Sequence, residues 1–198
     1  MRTIRSLAAL GLLAAPATAL DTCLRLDYAQ LQGDVEVTAN GGTDAREWDT
    51  NDRIGLSWLN VLDLPLLQPH VGLSLAYERH EDTEAGLTSE YTVGLAEIVG
   101  GCRLTLLPGF LHAEGNASVG IGRATLDAGG QSDDGDWYGY GLGADIVGTL
   151  PIPMLMTLEL GLGAGWRVGS SSDHNLGGTA YDIDTEGTYA RAFIGATF

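Results

Sequence analysis

His112, Glu114, Asn116 and Ser118 occupy every second position of one segment, so a strand there sets an imidazole, a carboxylate, an amide and a hydroxyl in a row on one face. Those are the residue types of general acid–base catalysis. The same row suits an interior hydrogen-bonding ladder, and because it lies on the polar side of its strand, that structural role is the better reading. His80 with Glu81, Asp82 and Glu84 carries metal-ligand side chains, but they run consecutively and lack the spacing that separates a ligand set from a charge run. Asp133-Asp134-Gly135-Asp136 departs from the pattern of a calcium-binding EF-hand loop. The series Gly139, Gly141, Gly143 and Gly161, Gly163, Gly165 lack the strand–turn–helix setting of a nucleotide loop. No catalytic, cofactor-binding or metal-ligating residue is assigned, and the chain is expected to be no enzyme.

The elements that must hold these side chains are strands. From Met156 to Val168 the even positions are all apolar, while the odd positions are Thr, Glu, Gly and Arg. Tyr138 to Ile146 and Val71 to Tyr77 split the same way, and weaker alternation covers about 23–32, 52–62, 89–107, 110–126 and 187–198. The sequence therefore predicts an all-β, eight-stranded, antiparallel, up-and-down barrel. Between Tyr91 and Leu95 the odd positions are apolar, yet from Cys102 to Leu106 the even ones are, which predicts a β-bulge near Gly100-Gly101 and leaves Glu97 aimed at lipid in an unbroken register.

Three features set the apolar faces outward. The polar faces are rich in glycine and hold no lysine, which suits a crowded lumen better than a watery exterior. The connections alternate between long (33–51, 81–88, 127–136, 169–186) and short (63–69, 108–109, 150–154), with Pro65, Pro69, Pro108, Pro151 and Pro153 all in the short ones. Long extracellular loops and tight periplasmic turns are the transmembrane-barrel layout. Tyr28, Tyr77, Tyr91, Tyr138, Tyr140 and Trp166 lie at strand ends beside the long loops, as an interfacial aromatic girdle does. That orientation puts Arg25, Arg53, Arg103, Arg167 and Arg191 in the lumen beside Asp27, Glu78, Glu114, Asp145 and Glu159, a set balanced for mutual pairing.

Arg2 and Arg5 precede an apolar run, Leu7 to Ala15, and Ala17-Thr18-Ala19 offers a cleavage site, so residues 1–19 read as a signal peptide and 20–198 as one barrel domain. No window is long and apolar enough for a transmembrane helix. The exported chain carries eight arginines against 26 acids, a charge that excludes a nucleic-acid partner. Cys23 lacks the small residue that a lipidation site wants before its cysteine. Cys23 and Cys102 can pair in an oxidising compartment, although the direction of Cys102 is left open.

Residues Ala190 to Phe198, apolar at every even position and ending in Phe, resemble the signal that the outer-membrane barrel assembly machinery recognises in Gram-negative bacteria. With the leader and the strand pattern, the chain resembles the small outer-membrane β-barrels, the OmpA/OmpX-like eight-stranded superfamily. The resemblance implies a monomer in the cell outer membrane with a structural or surface-interaction role, its partners outer-membrane lipid, lipopolysaccharide or host factors. Divalent cations held by acidic loop residues such as Asp182, Asp184 and Glu186 could bridge to lipopolysaccharide phosphates, whereas the plainer reading is an acidic solvated surface. The alternatives are an OmpW-like conduit for small molecules and a lipid A-modifying enzyme. The chain also resembles PagL-type lipid A deacylases in size, but they use a His and a Ser two apart, whereas His112 is followed by Glu114 and His174 by Leu176 at that distance.

Overall fold

Alternating side chains make each strand two-faced, and eight such strands hide both edges only by closing on themselves. The computed structural model, which describes residues 20–64, 66–84, 87–153 and 155–198, shows that closure. The signal-peptide segment 1–19 lies outside the described residues. The strands are β1 (Leu20–Ala39), β2 (Gly42–Glu47), β3 (Thr50–Leu62), β4 (Leu67–Glu84), β5 (Leu87–Leu107), β6 (Leu111–Ala128), β7 (Gln131–Ile152), β8 (Met156–Leu176) and β9 (Thr179–Thr197). β1 pairs antiparallel with β9 from Cys23↔Thr197 to Ala39↔Tyr181, and β1, β3 and β4 to β9 form a ring of eight. The ninth strand, β2, pairs with the upper end of β1 and continues the line of β3 past an irregularity at Trp48-Asp49.

The expected long loops are instead ladders. β1/β2, β6/β7 and β8/β9 run as hairpins up to Asn40-Gly41, Gly129-Gly130 and Gly177-Gly178. Both central residues of each turn have positive φ (49° and 76°, 60° and 78°, 62° and 89°), the requirement of a type I′ turn, whose twist matches that of its strands. The ring thus rises as a walled tube beyond the belt that meets lipid.

Along β1, β6 and β9 the parity of the faces stays constant while their chemistry reverses. On β1 the outward residues change from Leu24, Leu26 and Tyr28 to Asp34 and Glu36, and the inward ones from Arg25 and Asp27 to Val35. β6 changes likewise, from outward Val119 and Ile121 to Asp127 and from inward Glu114 to Ala124 and Leu126. β9 goes from outward Ile194 to Asp182 and Asp184, and from inward Arg191 to Ile183. The physical cause is the solvent on the outer side: where it is acyl chain the exterior is apolar, and where it is water the exterior is acidic and the apolar residues turn inward.

That reversal corrects two expectations. No bulge occurs at Gly100-Gly101, since β4 and β5 pair without a shift from Leu67↔Leu104 to Glu84↔Leu87. Tyr91, Val93 and Leu95 point into the tube rather than at lipid, and Tyr91, at 0% exposure, is no part of the aromatic girdle. Glu97, on the same parity, therefore faces the lumen. The lumen glycines make room as expected: a Cβ at Gly161 would run into the Phe193 ring, and one at Gly165 into Tyr189.

Candidate functional site

The lumen has two storeys. In the belt that meets lipid, five arginines face six carboxylates in three groups. Arg25 donates to both oxygens of Glu114, at 2.6 and 2.8 Å, and from Nε to Glu159 at 3.0 Å. Arg103 reaches Glu114 at 3.3 Å and Glu159 at 2.9 Å. Thr197 and the Cys23 thiol also donate to Glu159. In the second group Arg53 meets Asp27, Glu78 and Glu97, while Arg167 lies 2.8 Å from Glu78 and 2.7 Å from Glu97. Arg191 pairs with Asp145 in the third, and Asn116 donates to the same carboxylate at 2.8 Å. Arg25 also lies over the Phe193 ring and Arg167 over Trp137, at 4.5 and 5.1 Å from their centroids. Each charge drawn from water is thereby met by an opposite one, the condition for holding it in a dry interior.

Every sequence-named luminal Arg and carboxylate lies in this network, and Glu97 joins them. The His112, Glu114, Asn116, Ser118 row faces the lumen but is not a relay. Glu114 serves Arg25 and Arg103, Asn116 serves Asp145, Ser118 donates to Glu97 at 3.0 Å, and His112 Nδ1 has no partner. Both cysteines are free: Cys23 is inside, and Cys102 sits on the opposite strand parity from the inward Arg103.

Above the ionic storey the tube holds an apolar core that includes Val35, Trp48, Tyr91, Leu126, Trp137 and Ile183. A polar chain crosses it. Tyr91 donates to Ser171 Oγ at 2.9 Å, Ser171 lies 2.9 Å from His174 Nε2, and His174 Nδ1 is 3.3 Å from the Asp133 carbonyl. Sequence spacing missed this serine–histidine pair because the register of β8 and β9 shifts between Ser171 and His174, where Asp173 adopts φ 71°. That bulge turns both side chains inward three positions apart, where an unbroken strand would put them on opposite faces. Ser171 and His174 are each 0% exposed, so no substrate reaches them in this conformation.

The His80 run is split by its strand. His80 points inward to Asn51 Oδ1 at 2.7 Å, while Glu81 pairs with Arg79 and Asp82 and Glu84 with Arg46. Among the described residues no group of three or more His, Cys, Asp or Glu side chains gathers as a metal site. The outer wall does carry directly opposed carboxylates, Asp34 against Glu186 and Glu36 against Asp184.

His80 lies beyond the outward Tyr77, in the part of the tube that meets water. Burial, and then the charge of Arg167, push its pKa down to about 4 from the usual 6.5. A histidine held neutral in the folded state favours unfolding once the free imidazole can protonate. This end of the tube should therefore lose about 1.4 kcal/mol per pH unit as the pH falls from 6.5 to 4, on the order of 3 kcal/mol in all. Amide hydrogen-exchange protection of the β4/β5 hairpin at pH 4.5 and 7, each taken relative to the intrinsic rate at that pH, checks this. His80→Gln should abolish the pH difference, and a difference that persists in that variant counts against His80 as its source.

A closed antiparallel ring with an apolar outer belt, outward Tyr28, Tyr77, Tyr138 and Tyr140 at its rim and a paired polar interior is built for a bilayer. The chain has the fold of an outer-membrane β-barrel. No family profile matches it, and no curated protein does. Solved structures do. Ail, the attachment invasion locus protein of Yersinia pestis, is 16% identical over 86% of this chain and 97% of its own, with a TM-score of 0.41. Neisserial surface protein A is 15% identical over 89% and 97%, with a TM-score of 0.43. The outer membrane protein OprG from Pseudomonas aeruginosa is 9% identical over 91% and 96%, with a TM-score of 0.46. At these identities and scores none lends this chain a role.

Proposed function

We propose that this chain is a non-enzymatic outer-membrane barrel whose lumen is closed by its arginine–carboxylate network and whose acidic hairpins are its working surface. The observation that carries the reading is the network itself. The cavity it lines, with Arg25, Arg53, Glu97, Glu114 and Arg167 in its wall, has a volume of about 40 Å³. Such a space holds a few waters at most and is no path for a solute. The apolar core stacked above it seals the tube a second time. The serine–histidine pair speaks for structure rather than hydrolysis, because it is enclosed on every side. The outer face supports an interaction role with the lipopolysaccharide leaflet. Its opposed carboxylates begin just beyond the aromatic rim, the level at which divalent cations bridge acidic groups to lipid phosphates.

Single-channel recording on the purified barrel in a planar bilayer tests the closed lumen. No conductance steps are expected. Reproducible steps from the folded protein would overturn the closure and favour the conduit reading. Lipid A from cells with and without the protein should give the same mass spectrum, and a lost or added acyl chain would overturn the non-enzymatic assignment.

A further inference from the structure

The tube ends at its extracellular mouth in a cup of about 400 Å³, a volume in the range of small-molecule sites. Val37, Trp48, Leu126, Ala128, Leu176 and Tyr181 give it an apolar wall, and the upper core forms its floor. Apolar surface is thus turned toward water at the one end of the tube that a ligand from outside can reach. The ionic network does not extend to it.

The rim decides the charge of an occupant. Arg46, also in the wall, stands within 3.8 Å of Asp44, 2.9 Å of Asp82 and 2.5 Å of Glu84, so this side of the rim carries two negative charges more than positive. The Asp82 carboxylate is largely buried and shares Arg46 with Asp44 and Glu84, so one guanidinium serves three carboxylates next to the cup. The surrounding hairpins are acidic as well, with Asp127, Asp134 and Asp182 on their outer faces. A carboxylate or phosphate approaching this mouth is repelled, and a cation is steered toward it. Trp48 and Tyr181 also offer aromatic surface that tolerates an ammonium group.

We propose that the cup is a binding site for a small cationic amphipath, an apolar body of about ten to fifteen non-hydrogen atoms, which fits within the cup without filling it, with one ammonium group at the acidic rim. The apolar wall takes the body, and Asp44, Asp82 and Glu84 take the charge that Arg46 leaves unmatched. Neither a conducting lumen nor a reaction is required.

Three probes of one shape separate the contributions: 4-phenylbutylamine, 4-phenylbutanol and 4-phenylbutyrate. Each is titrated into the full chain in phosphatidylcholine nanodiscs while the indole N–H resonance of Trp48 is followed, assigned by its loss in Trp48→Phe. The amine should shift that resonance saturably, with an affinity at least tenfold above that of the carboxylate and the alcohol between them. Ala128→Trp, which fills the cup, should abolish the shift in a barrel whose heat-dependent gel mobility shows it to be folded. Asp44→Asn with Glu84→Gln should erase the advantage of the amine over the alcohol while leaving alcohol binding in place. A response that does not saturate overturns the proposal. So does equal affinity for the amine and either congener, or binding that survives in folded Ala128→Trp.

Discussion

Glu114→Gln is expected to destabilise the folded barrel by about 3–5 kcal/mol, the usual consequence of leaving a buried charge without its partner. Glu114 takes a two-pronged contact from Arg25 and a further one from Arg103, and Glu159 is the only other carboxylate in that group. An amide cannot neutralise the second guanidinium, and two cations would share one anion in a closed space. Glu97→Gln should cost less although its carboxylate is as deeply buried, because Asp27 and Glu78 remain to match Arg53 and Arg167. The double variant Arg25→Met, Glu114→Leu should recover most of the loss, since it leaves Arg103 with Glu159 and fills the space with apolar atoms. Urea unfolding in lipid vesicles, followed by tryptophan fluorescence and by heat-dependent gel mobility, measures all three. If the double variant is no more stable than Glu114→Gln, the loss comes from packing and not from unmatched charge.

This ordering rests on a network whose members were largely legible in the sequence, for a simple reason. In the belt that meets lipid, an arginine or glutamate within an alternating strand has only one face on which it can be tolerated, so residue type fixes direction. Glu97 escapes because it shares the parity of Tyr91, Val93 and Leu95, three apolar neighbours that read as lipid-facing. They belong to the stretch where water is outside, and there the same rule works in reverse. The sign of the reversal was visible on β9, where Asp182, Asp184 and Glu186 share the parity of Ile194 and Phe198. One face cannot be lipid-exposed along its whole length and carry both.

The hairpins were also legible. Asn40-Gly41, Gly129-Gly130 and Gly177-Gly178 are the pairs that tolerate two positive φ angles in succession, and each marks a tight turn. Their flanks read instead as loops, because the apolar alternation that marks the lipid belt stops short of them. The serine–histidine contact was not legible. It depends on a bulge at Asp173, a residue type that only modestly favours positive φ, and no i, i+2 rule survives an inserted residue. The mouth cup had no sequence signal either, since its wall is drawn from β1, β2, β5, β6, β8 and β9 and assembles only when the ring closes.

The boundary between the two solvents is the feature on which orientation, network and cup all depend, and a single long cation can locate it. Leu162 lies on the outer face of β8 among Leu160 and Ala164, below the Trp166 that packs edge-on against Tyr140 at the rim. Leu162→Arg should cost about 2–4 kcal/mol, as a charge near the middle of the hydrocarbon does on a barrel exterior. Asp184→Arg, on the outer face of β9, should cost nothing measurable, and its removal of like charge opposite Glu36 acts in favour of the fold. Val168→Arg, one outward step above Trp166, should fall between them and closer to the second. Folding free energies of the three in vesicles of uniform acyl length give a depth profile. Equal costs for Leu162→Arg and Asp184→Arg would mean that one medium surrounds the whole tube. The apolar belt would then have to be buried against another protein surface rather than against lipid.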